Sequence, residues 1–448
     1  MAGDLRALVY LKFAQVASSQ RFALCSGRKE LTMSLETQPD PLHEERLAVD
    51  YTVEIVRNSN EWDGMEVEWR RLFVASPFAS PPLCWEWTRT WWRIYGAVYA
   101  ERSAGDEGLR IFAVRKNGAL VCVLPLYLRR SVSLAFGTRR LCFLSTGEAE
   151  FEETCAEHLD ILCLLEDIEP CMALILEVLF NSVNRDWDEL HLSPVTANSP
   201  LNEWCKPVEA GGLYASSNSL GPAFIADATD GFDAYLGKLS ANSRGLARKR
   251  AKGALRDGAC FEVADTPELL EEMWGQLVSL HQIRWEAEGK PGCFSAPRFC
   301  NFHKSLLLAL LESGSGILAR LSLDGEPLAV MLGYIACKKF DSYVAGAKFE
   351  EERIKSPGIA LHLLLMELLT QRGLEKYDHM SGTMRYKQQF STHEVETFQL
   401  IYHRPTIRTQ VNRMSEAIKE VVRNGKKMFK DLSKSNDSAK VLDANSNQ

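Results

Sequence analysis

Ile317-Leu-Ala-Arg-Leu-Ser-Leu-Asp324-Gly325-Glu-Pro-Leu-Ala-Val-Met-Leu332 and, further on, Lys355-Ser-Pro-Gly358-Ile-Ala360-Leu-His-Leu-Leu-Leu-Met-Glu-Leu-Leu-Thr-Gln-Arg372 decide the fold of this chain. The first segment predicts two strands, Ile317 to Leu323 and Leu328 to Ile335, joined at Asp324-Gly325, where glycine takes the positive φ that hairpin turns commonly require. A third strand fits Phe340 to Ala345. The second segment predicts a mostly buried helix over Leu361 to Arg372, stopped by Gly373. First-turn N–H groups lack internal partners, and the helix dipole adds roughly half a positive charge there, so a strand, a glycine turn and a helix start form an anion site. Gly358 removes a Cβ from the approach, Pro357 fixes a dihedral, Lys355 supplies a cation, and Ser356, Ile359 and Ala360 complete the turn. Pro-Gly before a helix also serves elsewhere as a plain turn and cap.

The chain resumes as a strand at Leu374-Glu-Lys-Tyr-Asp378 and continues into His379-Met-Ser-Gly382-Thr-Met-Arg-Tyr386-Lys387-Gln-Gln-Phe390. With this block in place the sequence resembles the CelD-type acyltransferases, described as cellulose-biosynthesis acetyltransferases and related to the GNAT N-acetyltransferases and the FemABX aminoacyl transferases. The resemblance runs over about residues 52 to 403. It is carried by Trp62, Pro77-Phe78, Gly118, Leu124-Pro-Leu126, the basic segment Arg244 to Arg256, Arg284-Trp285, Asp324-Gly325, Pro357-Gly358, Tyr377-Asp378, Gly382 and Tyr386-Lys387, in order and spacing jointly. Against the pyrophosphate pattern Arg/Gln-x-x-Gly-x-Gly/Ala, Lys355 stands at the first position, keeping the charge and losing the planar fork of arginine. His379 and Thr383 depart where the family often has an aromatic and an acidic residue, which places the usual acceptor in question.

The resemblance implies an α/β (α+β) fold of tandem GNAT-like modules, each a mixed twisted sheet flanked by helices. Internal evidence agrees: Leu109 to Leu126 around Asn117-Gly118 repeats the strand, turn, strand layout of Ile317 to Leu332. We expect a leader at 1–50 outside the folded part, with Met33 as an alternative start, a degenerate first module at 51–220, a second at 221–403 carrying the donor turn, and a basic helical or disordered tail at 404–448. The stretch Val411 to Leu432 reads as a basic amphipathic helix, solvated or resting on an anionic membrane surface.

Composition agrees with a large globular enzyme: 46% hydrophobic and 25% charged residues in 448, enough for two or three domains. The net charge of -7 argues against nonspecific binding to DNA. Twelve scattered cysteines without a Cys-x-x-Cys pair or Cys-His spacing predict reduced thiols, no metal and a cytoplasmic setting. No segment reaches the roughly 18 to 20 uninterrupted apolar residues of a membrane span. Trp87, Trp91 and Ile94 share one face of a helix and Trp85 with Trp92 another, the spacing of core packing rather than of a sugar platform. Arg244, Arg248 and Lys252 fall at i, i+4 and i+8, facing solvent, a coenzyme phosphate, an anionic glycan or a tRNA arm.

These features predict an acyltransferase that moves an acetyl or other acyl group from acyl-CoA to an amine or hydroxyl on a small-molecule, glycan or lipid-linked acceptor in polysaccharide or cell-envelope biosynthesis. Asp378 is expected as base or acceptor-positioning group, Tyr386 as the acid for the leaving thiolate and Lys387 as a countercharge. Asp378 as a cap and Tyr386 as a packing residue are the structural alternatives. Arg284, Trp285 and His379, with Arg244 and Arg248, are expected on the substrate side. An aminoacyl-tRNA donor of the Fem kind, or a noncatalytic role in exopolysaccharide assembly, stands as the alternative. Neither Gly-x-Ser-x-Gly nor a cysteine in a catalytic context appears, so no covalent enzyme intermediate is expected.

Overall fold

A computed structural model describes residues 31–34, 50–130, 137–180, 186–205, 213–348 and 353–411. The rest of the expected leader, and the tail beyond 411 with most of its amphipathic helix, lie outside the described residues. Among the described residues fourteen strands form one mixed sheet. The first half contributes β1 (Leu31–Ser34), β2 (Asp50–Val56), β3 (Leu109–Lys116), β4 (Ala119–Arg129), β5 (Arg140–Phe143), β6 (Leu162–Cys163) and β7 (Glu189–Thr196). The second contributes β8 (Tyr214–Asp227), β9 (Cys260–Val263), β10 (Gly316–Leu323), β11 (Glu326–Ala336), β12 (Lys339–Ala347), β13 (Lys376–Ser381) and β14 (His393–His403). Their order is β1-β2-β3-β4-β5-β7-β14-β8-β13-β12-β11-β10-β9, with β6 beside β4.

The two halves repeat one pattern. β2, β3, β4 and β5 are antiparallel and β5 pairs in parallel with β7; β9, β10, β11 and β12 are antiparallel and β12 pairs in parallel with β13. Each parallel step is spanned by a crossover helix, as parallel neighbours require. β14 joins the halves, antiparallel to both β7 and β8. The expected boundary at 220/221 falls inside β8.

Helices of the first half are α1 (Ser59–Asp63), α2 (Glu66–Ala75), α3 (Trp85–Trp91), which continues as a π-turn over Trp92–Gly96, and the crossover α4 (Ile168–Phe180). Those of the second are α5 (Phe232–Lys238), α6 (Ala241–Arg256), α7 (Pro267–Ala287), α8 (Pro297–Leu311), the crossover α9 (Pro357–Gln371) and α10 (Arg385–Phe390). Among the described residues no helix is long and apolar enough to cross a membrane.

Local chemistry explains the helices around the site. α7 starts where the Thr266 side chain accepts the Leu269 N–H and Pro267 occupies the first position; it buries Leu270, Met273, Trp274, Leu277 and Leu280, a three-and-four spacing, against β10–β12. α6 buries a stripe of small residues, Ser243, Ala247, Ala251 and Ala254, which lets it lie against α9. α9 itself is apolar nearly all round, with Leu361, Leu363, Leu365 and Met366 buried, each worth about 1.5–3 kcal/mol. Trp62, Trp69, Trp85, Trp87, Trp91 and Trp92 are all buried core, and Trp87 meets Phe302 of α8 and Tyr334 of β11 across the halves.

One sequence expectation needs correction. The helix begins at Pro357 rather than Leu361, so Gly358, Ile359 and Ala360 are its first turn and not a loop before it. Ser356 makes this possible by adopting a left-handed conformation (φ 57, ψ 61), which turns the chain sharply onto the helix axis.

Candidate active site

β12 and β13 pair in parallel over only three rungs, Lys339–Lys376, Phe340–Tyr377 and Asp341–Asp378. Beyond the last rung β12 continues to Ala347 and β13 to Ser381, so the strands part and leave edge backbone between them. The α9 start lies beside the far end of β12: a Cβ added at Gly358 would stand 3.4 Å from that of Ala347. Lys355 and Ser356 are exposed, and Ile359 and Ala360 pack inward. In the first half the equivalent crossover helix begins Leu165-Glu166-Asp167-Ile168-Glu169, an acidic start unfavourable to an anion and unlike that of α9.

Successive residues of β13 point to opposite faces. Tyr377 and His379 face α9, where the Tyr377 hydroxyl lies 2.8 Å from His362 Nδ1 and the His379 ring sits 5.3 Å from that of His362 and 5.9 Å from that of Tyr386. Neither ring nitrogen of buried His379 has a hydrogen-bond partner within good geometry. Burial, countered only in part by Asp378, pulls its pKa down to about 4, so it is neutral at pH 7. Tyr386 is half-buried, and burial raises its hydroxyl to about 12 while Arg284 opposes the rise. It therefore keeps its proton at neutral pH.

Asp378 faces the other way, into a buried charged cluster. Its Oδ2 lies 2.8 Å from Nε2 of His158, a residue of the first half, and 3.3 Å from Lys339 Nζ; its Oδ1 accepts the Met380 N–H at 2.7 Å. Lys339 also pairs with Asp341 at 2.9 Å. Desolvation alone would raise the Asp378 carboxyl, yet His158, Lys339 and the Met380 N–H together hold it well below the usual carboxylate range. A carboxylate so firmly ionised is a poor proton acceptor at neutral pH, which weighs against the base among the two roles expected of Asp378. Lys387 is held by the backbone. Its Nζ donates to the carbonyls of Ser381 at 2.5 Å and Met380 at 3.4 Å, fastening the turn at Gly382 instead of facing a phosphate.

The remaining expected residues surround this face. Arg284, near the end of α7, pairs with Glu288 at 3.3 Å, and Trp285 donates its indole N–H to His281 Nε2 at 2.8 Å. From the first half, Glu157 Oε2 accepts both the Ser381 N–H at 3.1 Å and its hydroxyl at 3.0 Å. Arg244 reaches back to the Gly237 carbonyl at 3.4 Å, and Arg248 is exposed on the outer face of α6, turned away from its buried alanine stripe. The structure thus brings Asp378, His379, Tyr386 and Lys387 together, adds Arg284 near Tyr386, and leaves Arg248 outside. Sequence reading missed Glu157, His158, Lys339 and Asp341. Lys339 and Asp341 carry a signal, two charges two apart on an otherwise buried strand; the other two carry none.

Two groups among the described residues bring potential metal ligands within 4.8 Å of one another. In His158, Asp341 and Asp378 the Lys339 ammonium already supplies the positive charge. Cys122, Cys163 and Cys171 converge from β4, β6 and α4, fully buried, and burial pushes the Cys122 thiol well up. Among the described residues no fourth His, Cys or carboxylate joins these three.

Residues 240–388 match the family described as acetyltransferase (GNAT) domain, and they contain every element of the β12–β13–α9 arrangement. The second half is therefore similar to GNAT acetyltransferase domains over those residues. No curated protein sequence matches the chain. Among solved structures, FemX is 13% identical with a TM-score of 0.50, covering 77% of this chain and 96% of its own, which shows a shared fold. The C-terminal domain of an Agrobacterium fabrum protein named as a lysylphosphatidylglycerol synthetase is 12% identical with a TM-score of 0.47, covering 80% and 96%. A tandem GNAT protein from the clavulanic acid biosynthesis pathway is 15% identical with a TM-score of 0.36, covering 79% and 99%.

Proposed function

We propose that this chain transfers an acyl group, acetyl in the simplest case, from a CoA thioester directly to an amine or hydroxyl. The observation that carries the reading is the parting of β12 and β13 beyond Asp341–Asp378 beside the α9 start at Gly358. Parted strands offer unpaired backbone to an extended pantetheine arm, and the first turn of α9 offers N–H groups and a positive dipole end to its pyrophosphate, with Lys355 beside it. The unpartnered nitrogens of His379 lie on this side and would gain a hydrogen bond from bound donor.

The acceptor enters from the opposite face, toward Asp378, Arg284 and Trp285. Attack on the thioester carbonyl breaks the C–S bond, and the Tyr386 hydroxyl, which burial keeps protonated, stands as the proton source for the departing sulfur, with the phenol's proton restored from solvent. A glycan or lipid-linked acceptor of the cell envelope and a cytoplasmic setting follow from the CelD-type resemblance. Calorimetric titration with acetyl-CoA tests the donor: we expect binding that Gly358→Asp weakens, and no binding to any CoA thioester would remove the reading. A second donor class is favoured by one observation, the exposed cationic face formed by Arg248, Lys249, Lys252 and Arg256. Transfer from charged tRNA but not from acyl-CoA would establish it. A noncatalytic role would be supported if Tyr386→Phe left the cellular phenotype intact while deletion of the chain abolished it.

A further inference from the structure

The transfer proposed above needs a group to take the acceptor's proton, and the obvious residues of the second half do not supply it. Asp378 is held ionised by its partners, His379 lies on the α9 face with its basicity suppressed by burial, Asp341 is paired to Lys339, and Lys387 is tied to backbone carbonyls. One basic side chain reaches the acceptor face from elsewhere. His158 lies in the first half, on the long connection between β5 and α4, and meets Asp378 at the last rung before β12 and β13 part.

Its placement is fixed from both halves. The Ser80 hydroxyl donates to the His158 carbonyl at 2.7 Å, the next N–H, of Leu159, donates to the Pro194 carbonyl at 3.0 Å, and the preceding Glu157 is anchored on Ser381. His158 itself holds a positive φ of 58°, a conformation unusual for a residue with a Cβ and one that such surroundings must enforce. Nε2 approaches Asp378 Oδ2 at 2.8 Å, bent from ideal hydrogen-bond alignment, as such contacts commonly are before substrate tightens them. No described group bonds Nδ1. A neutral ring that keeps its proton on Nε2, next to the carboxylate, has an open lone pair on Nδ1.

We propose that His158 is the general base of the transfer and that Asp378 is the positioning residue that sets its tautomer and steadies the imidazolium, an assignment that rests on the transferase reading above. In the step, Nδ1 takes one proton from the acceptor N–H or O–H while that atom bonds to the thioester carbonyl carbon. The tetrahedral intermediate then breaks its C–S bond, and the sulfur departs as a thiol with the proton of Tyr386. The proton on His158 returns to Tyr386 through solvent, so one acyl group and one proton have exchanged places. The charged groups facing the ring are Asp378 on β13, Lys339 and Asp341 on β12, and Glu157 beside it. Burial and Lys339 push its basicity down, and the two aspartates more than offset them, placing it above an ordinary histidine. The site is then complete only when both halves contribute.

The test uses the full chain with acetyl-CoA, water as the probe acceptor and released thiol as the readout. His158→Gln is expected to lower kcat by about 10²–10⁴-fold and to abolish the loss of rate on the acid side of neutrality, with the dissociation constant for acetyl-CoA unchanged. Glu157→Gln, which disturbs the same junction, should keep that acid limb. In ¹⁵N-histidine spectra the signal lost in His158→Gln should belong to a ring protonated at Nε2. Thiol release by His158→Gln within threefold of the wild type, a retained acid limb, or an Nδ1–H tautomer would overturn the proposal, as would a wild type that binds acetyl-CoA and never releases thiol. Failure to bind acetyl-CoA would instead sink the donor assignment. Loss of fold in His158→Gln would show in its thermal melt, and the wild-type tautomer then decides alone.

Discussion

Lys339 and Asp378 lie on neighbouring parallel strands two positions apart in register, their charged groups 3.3 Å apart, the carboxylate fully buried and the lysine mostly so. The lysine also serves Asp341, so one cation answers two buried carboxylates, with His158 as the only other basic group in the cluster. Burial alone would depress the lysine, but the two aspartates carry its pKa well above the ordinary value. Its contribution to stability is accordingly full below roughly pH 10.4 and is lost as pH rises through the higher folded value. Lys339→Met should destabilise the protein by about 3–5 kcal/mol, since it strands buried charge. A chemical-denaturation midpoint unchanged from the wild type would refute this.

His379 gives an acid-side prediction. Its folded pKa of about 4 lies below the ordinary value of roughly 6.5, so the unfolded chain binds the extra proton throughout that window. The stability it permits is complete above pH 6.5 and falls away toward pH 4, by on the order of 3 kcal/mol. His303, buried and pulled down to about 3, adds a similar slope. His379→Leu should flatten the curve of unfolding free energy against pH between 6.5 and 4, and an equally steep curve would contradict the assignment.

Gly358→Asp separates folding from binding. A carboxylate in the first turn of α9 complements the helix dipole, which adds about 0.3–1 kcal/mol, while the same charge repels a donor phosphate. The added Cβ meets only that of Ala347, at ordinary contact distance. We expect an equal or higher melting temperature together with at least tenfold weaker acetyl-CoA binding. A lower melting temperature with unaltered binding would be the reverse of what the geometry requires.

Gly346 of β12 is where α7 presses closest on the sheet. A Cβ there would come within 2.6 Å of the His281 backbone nitrogen and 2.8 Å of Leu280 Cβ. Gly346→Ala must push the helix outward, at about 1–3 kcal/mol, and shift Arg284 and Trp285 with it. Its crystal structure should show α7 displaced; an unmoved helix would show that β12 yields instead.

How much of this was legible in the chain depends on how far apart the interacting residues lie. The β10–β11 hairpin, the cationic helix α6, the buried α9 and the tryptophan core could be read because periodicity and turn chemistry are local. The duplication was legible from the Asn117-Gly118 and Asp324-Gly325 turns, and the acidic start of α4 sets the two crossover helices apart. The start of α9 was misplaced because nothing in a serine announces a left-handed backbone. The surroundings of Asp378 and Lys387 were not legible, since they come from Lys339, His158 and backbone carbonyls brought near by the fold. His158 left no trace at all: a lone histidine in an irregular connection becomes informative only once the halves are docked.

That docking has an order in time. β14 lies between β7 and β8, yet it is the last strand of the described chain to leave the ribosome. Until it arrives, β7 and β8 each present an open edge, the arrangement that invites a second chain to add itself. The nascent protein must therefore hold two partly finished sheets apart while its final third is made. Chains halted before His393 should aggregate through those edges rather than persist as a stable half-enzyme.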